Sequence, residues 1–158
     1  YSTQYTPTSA GTDQVAIQIR NVETGALESI SGSPFTSEVS SGAVFISIDD
    51  VTVVEGDAGT TDAVFTVSLS SESGATVTVD YTTADGTATA PGDYVSASGT
   101  LAFPPEAPLT QTITVQVVGD TVSEAAIKSF TVVLSNPTNA TIADANGLGS
   151  ILDDDGIG

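Results

Sequence analysis

A chain of 158 residues with 39% hydrophobic content can bury one core of ordinary size and carry an extension besides. Its two basic residues, Arg20 and Lys128, stand against 20 acidic ones, and the net charge of -18 repels nucleic acid and anionic lipid. Cys, Met, Trp and His are absent. That excludes disulfides, Zn or Cu sites built on thiolate or imidazole, and catalysis by a Ser-His or Cys-His pair.

No run of 18 apolar residues occurs, so membrane insertion by a helix is not expected. With Tyr1 in first place, a removed signal segment or an upstream domain is expected to precede it. Residues 1–14 are polar, with Gly and Pro, and are expected to fray in a lone monomer. Residues 15–30 alternate twice, through Val15, Ile17 and Ile19 and then Leu27 and Ile30, which predicts a β-hairpin turning near Glu23-Thr24-Gly25. Residues 31–43 read as a linker with one extended apolar piece at Phe35 and Val39. Residues 24–35 are also weakly similar to one blade of a lactonase-type propeller. The likeness covers one hairpin and carries no function. The predicted division is an extension over 1–43 and a sandwich over 44–158.

From residue 44 onward the pattern is all-β. Strands are predicted over 44–54, 63–70, 75–83, 96–103, 110–118, 128–135 and 147–152. Apolar residues alternate in them with Thr and Ser, as half-buried antiparallel strands require. Seven strands in this length predict an immunoglobulin-like antiparallel sandwich. Pro104, Pro105 and Pro108 fall between the fourth and fifth strands, where no ladder donor is lost.

Strands that alternate in direction gather the ends of the first, third, fifth and seventh at one pole. That pole collects Glu55, Asp57, Asp62, Asp85, Asp93, Asp120, Glu124, Asp153, Asp154 and Asp155. The opposite pole collects only Glu72, Glu106 and Asp144. Like charges crowded in this way repel unless a cation joins them. Ca²⁺, which takes six to eight oxygen ligands, suits the crowding better than Mg²⁺, which retains more water. An evenly solvated acidic surface is the bland alternative, and the unequal poles weigh against it.

Residues 46–155 resemble the Calx-beta domain, a calcium-binding sandwich of sodium–calcium exchangers and large bacterial surface proteins. The matching phrases are IDDVTVVEGDAG at 48–59, YTTADGTATAPGDYV at 81–95, SGTLAFPPE at 98–106, VVGDTVSEA at 117–125, FTVVLSNPTNATI at 130–142 and GSILDDDG at 149–156. The resemblance implies Ca²⁺ as the bound ion and Glu55, Asp93, Asp120, Glu124, Asp153, Asp154 and Asp155 as its ligands. One departure is local. Where such domains carry a further acidic residue about three positions after the Glu124 equivalent, this chain has Ile127, followed by Lys128.

The other polar residues have plainer readings. Asp57 and Asp85 flank glycines and are assigned to turns, and Asp49, Asp50 and Asp80 to solvated strand faces. Tyr81 and Tyr94 are assigned to packing. Asn139-Ala140-Thr141 is a glycosylation sequon of a kind common by chance. Lys128 reads as a lysine with a packed stem and wet tip rather than an isopeptide donor. Paired carboxylates can serve glycoside hydrolysis, but without Trp or a sugar cleft the chain is not read as an enzyme.

The expected function is a structural or adhesive subunit of an extracellular filament or cell-surface assembly, stabilised by Ca²⁺. Residues 1–40 would join it to copies of itself as a donor strand. The alternative is a monomeric Ca²⁺-binding module of a large bacterial adhesin.

Overall fold

Why the chain forms strands is plain from residues 63–69: Ala63, Phe65, Val67 and Leu69 are buried, while Val64, Thr66 and Ser68 between them are not. A period of two puts one face in the core and leaves the other to solvent. The computed structural model describes residues 18–20, 27–29 and 43–156. By contact the chain divides into two units, 1–39 and 40–158.

In the first unit, β1 (Gln18–Arg20) and β2 (Leu27–Ser29) pair antiparallel, with Gln18 opposite Ser29 and Arg20 opposite Leu27. The turn expected near 23–25, the frayed start and the apolar piece at Phe35 and Val39 lie outside the described residues.

The second unit holds two sheets. β3 (Phe45–Ile48), β5 (Gly59–Leu69), β8 (Thr110–Gly119) and the short β10 (Thr141–Ile142) form one, in the order β10-β3-β5-β8. β4 (Val51–Val54), β6 (Val77–Asp85), β7 (Ser98–Phe103), β9 (Ile127–Thr138) and β11 (Asn146–Leu152) form the other, in the order β4-β11-β9-β6-β7. Their inward faces meet in one core. Phe65 from the first sheet sets its ring edge-on to Phe130 of the second at 5.9 Å, and Tyr94 stacks on Phe130 at 4.5 Å. Tyr94 is therefore a packing residue, as expected from the sequence.

Two details differ from the sequence reading. The strand expected over 44–54 is two strands on different sheets, because the chain crosses over at Asp49-Asp50. Asp49 Oδ1 accepts the N–H of Thr66 at 2.6 Å, on the first sheet, and Asp50 Oδ1 accepts that of Leu148 at 2.8 Å, on the second. These carboxylates close the ladder ends on either side of the crossing and are not idle surface charges. Asp80 is likewise engaged, by the Thr100 hydroxyl at 2.6 Å and the Asn136 amide at 3.1 Å, which hold its carboxyl below the usual range.

Near that amide β9 carries an irregular register, with Asn136 at φ 48°. Asn139 of the sequon is exposed, and its amide donates to the Thr76 carbonyl at 2.8 Å. Among the described residues no helix is long and apolar enough to cross a membrane.

Candidate metal centre

The crossover has a consequence for chemistry. β4 lies beside β11 in parallel, Val54 opposite Leu152. Both strands then run out at the same end of the sandwich, and the Glu55 N–H still donates to the Leu152 carbonyl at 3.1 Å. Continued one residue at a time, that register sets Glu55 beside Asp153 and Asp57 beside Asp155. The turn between is made by Gly56, whose φ of 80° favours glycine. Its N–H donates to Asp154 Oδ1 at 3.0 Å. Gly119, at the end of β8, approaches this turn so closely that a Cβ there would sit 2.2 Å from the Gly56 carbonyl oxygen. A side chain at 119 would push the turn out of place.

Two groups of carboxylates result. Oxygens of Glu55, Asp153 and Asp155 lie within 4.8 Å of one another, and so do oxygens of Asp57, Asp154 and Asp155. Glu55 is 3% exposed, and its Oε1 and Asp155 Oδ2 are buried with no hydrogen-bond partner. A buried ionised oxygen without a partner is costly. Burial first, and then Glu124, Asp120, Asp153 and Asp155, push the Glu55 carboxyl up to about 7. Burial, with Asp153 and Asp57 next, also raises Asp155. Two orphaned buried oxygens, one from Glu55 and one from the Asp155 that both groups share, in a purely carboxylate donor set fit a hard divalent cation. Ca²⁺ suits such a set, since it accepts several carboxylates in flexible geometry.

The rest of the pole is built differently. Asp153 Oδ2 accepts the Glu124 N–H at 2.6 Å and its Oδ1 the Asp155 N–H at 2.8 Å, so this carboxylate orders the loop around it. Asp120 Oδ1 accepts the Val122 N–H at 2.7 Å. It lies outside both close groups and acts on them through its charge. Asp93 sits in the β6–β7 loop, which folds back across β8 through the bridge of Tyr94 with Val117. Its Oδ2 accepts the Thr89 N–H at 2.6 Å, and its Oδ1 lies 2.5 Å from Lys128 Nζ. Lys128 also forms an ion pair with Glu124. Burial pushes Asp93 up, but the lysine and the Thr89 donors outweigh it and hold the carboxyl below its usual range.

Four of the residues expected as ligands, Glu55, Asp153, Asp154 and Asp155, therefore come together. Asp120 stands beside them, and Asp93 and Glu124 are held by Lys128. Asp57, assigned to a turn from the sequence, belongs to the second group. No sequence signal separates it from a turn residue, since Glu55 and Asp57 match Asp153 and Asp155 only through the parallel register of β4 and β11. Asp85 is a structural acceptor, taking the Tyr94 hydroxyl at 2.6 Å and the Ala90 N–H at 3.0 Å. Ile127, in place of a further acid, is 60% exposed at the start of β9.

The profile of the Calx-beta domain matches residues 39–154. Among solved structures, the apo form of the Calx CBD1 domain is 28% identical with a TM-score of 0.65, over 72% of this chain and all of that one. The calcium binding domain CBD12 of CALX1.1 is 30% identical with a TM-score of 0.62, over 72% of this chain and 47% of that one. CBD12 from CALX1.2 is 29% identical with a TM-score of 0.63, over 70% of this chain and 46% of that one. The chain thus spans about half of the CBD12 structures. A search of curated protein sequences gives no match.

Proposed function

We propose, from the premise that this chain belongs to the Calx-beta family, that it is a Ca²⁺-binding structural module. Its ions are held by Glu55, Asp153 and Asp155 and by Asp57, Asp154 and Asp155. The observation that carries this reading is the pair of partnerless buried oxygens, Glu55 Oε1 in the first group and Asp155 Oδ2 of the residue common to both. Bound Ca²⁺ supplies positive charge there. The chain's own contribution is to converge the carboxylates by the parallel β4–β11 register and to fix the turn at Gly56. Because the unfolded chain has no such site, binding adds directly to folding stability. A chain without disulfides thereby gains a cross-link between the end of β4 and the end of β11. No residue set in it is assigned a catalytic role.

The test is thermal melting in EGTA and in excess Ca²⁺. The midpoint rises with Ca²⁺ in the native protein, and the rise shrinks in the double variant Asp154→Ala, Asp155→Ala. A rise as large in the variant as in the native chain would remove these residues from the site.

At the level of the assembly, the proposed role is an extracellular or cell-surface structural subunit that joins copies of itself by strand donation from residues 1–40. The support is physical: β1 and β2 are three residues each, and a lone hairpin of that size is marginal in water. A donated strand satisfies it, and a head-to-tail contact propagates as a filament. A second reading, a Ca²⁺-binding module within a larger adhesin, is favoured by the CBD12 structures, of which the matched part of this chain covers 46% and 47%.

A further inference from the structure

The acidic pole is not uniform. Among the described residues no basic side chain pairs with the carboxylates on its Glu55 side, while Lys128 pairs with those on its Asp93 side. Lys128 lies on β9 opposite Ile151, the residue of β11 two before Asp153, so its backbone is fixed in a central ladder. Its side chain is 17% exposed, and those of the two carboxylates it touches, Asp93 and Glu124, are 11% and 24% exposed. Nζ sits 2.5 Å from Asp93 Oδ1. Three of the roughly four acceptor sites of the Asp93 carboxylate are then taken, since its other oxygen accepts both the N–H and the hydroxyl of Thr89.

We propose that the Lys128 ammonium is a tethered cation that permanently fills one cation position of the pole, so that Ca²⁺ is confined to the Glu55–Asp57–Asp153–Asp155 side. The inference rests on the calcium reading above and concerns how that site is limited. Asp93 and Glu124 are then structural partners of lysine rather than ligands. The chain binds fewer ions than its count of polar carboxylates allows.

Geometry favours a fixed occupant over a displaceable one. An ion arriving between Asp93 and Glu124 must expel an ammonium whose backbone is held in the β9 ladder and whose Nζ already pairs with both carboxylates. On the Glu55 side it meets partnerless oxygens and displaces nothing from the chain. The lysine also remains charged at any ordinary pH. Burial pulls its ammonium down, but the bonds to Asp93 and Glu124 outweigh that and push it up to about 12.

The experiment counts ions. Metal-free native protein, Lys128→Met and Lys128→Arg are each titrated with Ca²⁺, and the saturated forms are weighed by native mass spectrometry. Lys128→Met keeps an apolar stem without the charge, and it binds one more Ca²⁺ per chain than the native protein. Lys128→Arg retains the native number. In EGTA the Met variant also melts below the native chain, because Asp93 is left buried without its partner.

Equal ion numbers in the native and Met proteins would overturn the inference while leaving the calcium site intact. A native mass short by one water would overturn it too, because Lys128 would then be an amide and no cation. Absence of Ca²⁺ binding in all three proteins removes the calcium reading itself, and the inference with it.

Discussion

Glu55 is the residue on which the chemistry turns. Its carboxyl ordinarily titrates near 4.5 and is pushed up to about 7 in the metal-free fold by burial and by Glu124, Asp120, Asp153 and Asp155. Between those two values the folded state binds a proton that the unfolded chain has released. Stability in EGTA therefore falls as pH rises from about 4.5 to about 7. The raised carboxyl of Asp155 adds to the same slope. Asp93 works in the opposite sense at lower pH: its depressed carboxyl stabilises above its unfolded value and loses that contribution as pH falls through the folded one. Melting in EGTA across the higher window should give falling midpoints, flattened by Glu55→Gln. A rising midpoint in the native protein would contradict the buried, uncompensated state of Glu55. Its position after β4 was legible in the sequence as a charge at a strand end, but its burial was not, because no neighbour in sequence covers it.

At the scale of elements, the alternation that marks β5, β6, β8 and β9 is strong because each strand has one face in the core and one outside. The break between β3 and β4 was present in the sequence as a slip of phase. Ile46 and Ile48 are even-numbered, Val51 and Val53 odd, and Asp49-Asp50 lies between. What the pattern lacked was the partner. A strand paired in parallel at an edge looks, residue by residue, like any half-buried strand, so the register that joins Glu55 to Asp153 and Asp57 to Asp155 was hidden. The same crossing makes a prediction. Asp49→Ala leaves the Thr66 N–H without its acceptor and should destabilise the fold by about 1–2 kcal/mol. Denaturant unfolding should show the same loss in EGTA and in Ca²⁺, because Asp49 stands apart from the ion groups. A loss seen only with Ca²⁺ would mean that the crossing shapes the metal site directly.

At the scale of the whole molecule, the unequal distribution of charge between the two poles was legible from strand alternation alone, and it led to the end of the sandwich where the two carboxylate groups lie. The division of labour within that pole was not. Lys128 looked like an ordinary strand lysine because its partners, Asp93 and Glu124, come from two separate loops. For the assembly, deletion of residues 1–40 should abolish fibres visible by negative-stain microscopy while leaving the Ca²⁺-dependent melting rise in place. Fibres that persist after deletion would end the strand-donation reading. The central question is whether the carboxylates at the ends of β4 and β11 hold Ca²⁺. Calorimetric titration of metal-free protein with Ca²⁺ tests this directly, comparing the native chain with Glu55→Gln. A saturable isotherm that weakens at least about tenfold in the variant, a loss of about 1.4 kcal/mol or more, is the predicted result. No binding in the native chain, or an identical isotherm in the variant, would contradict it.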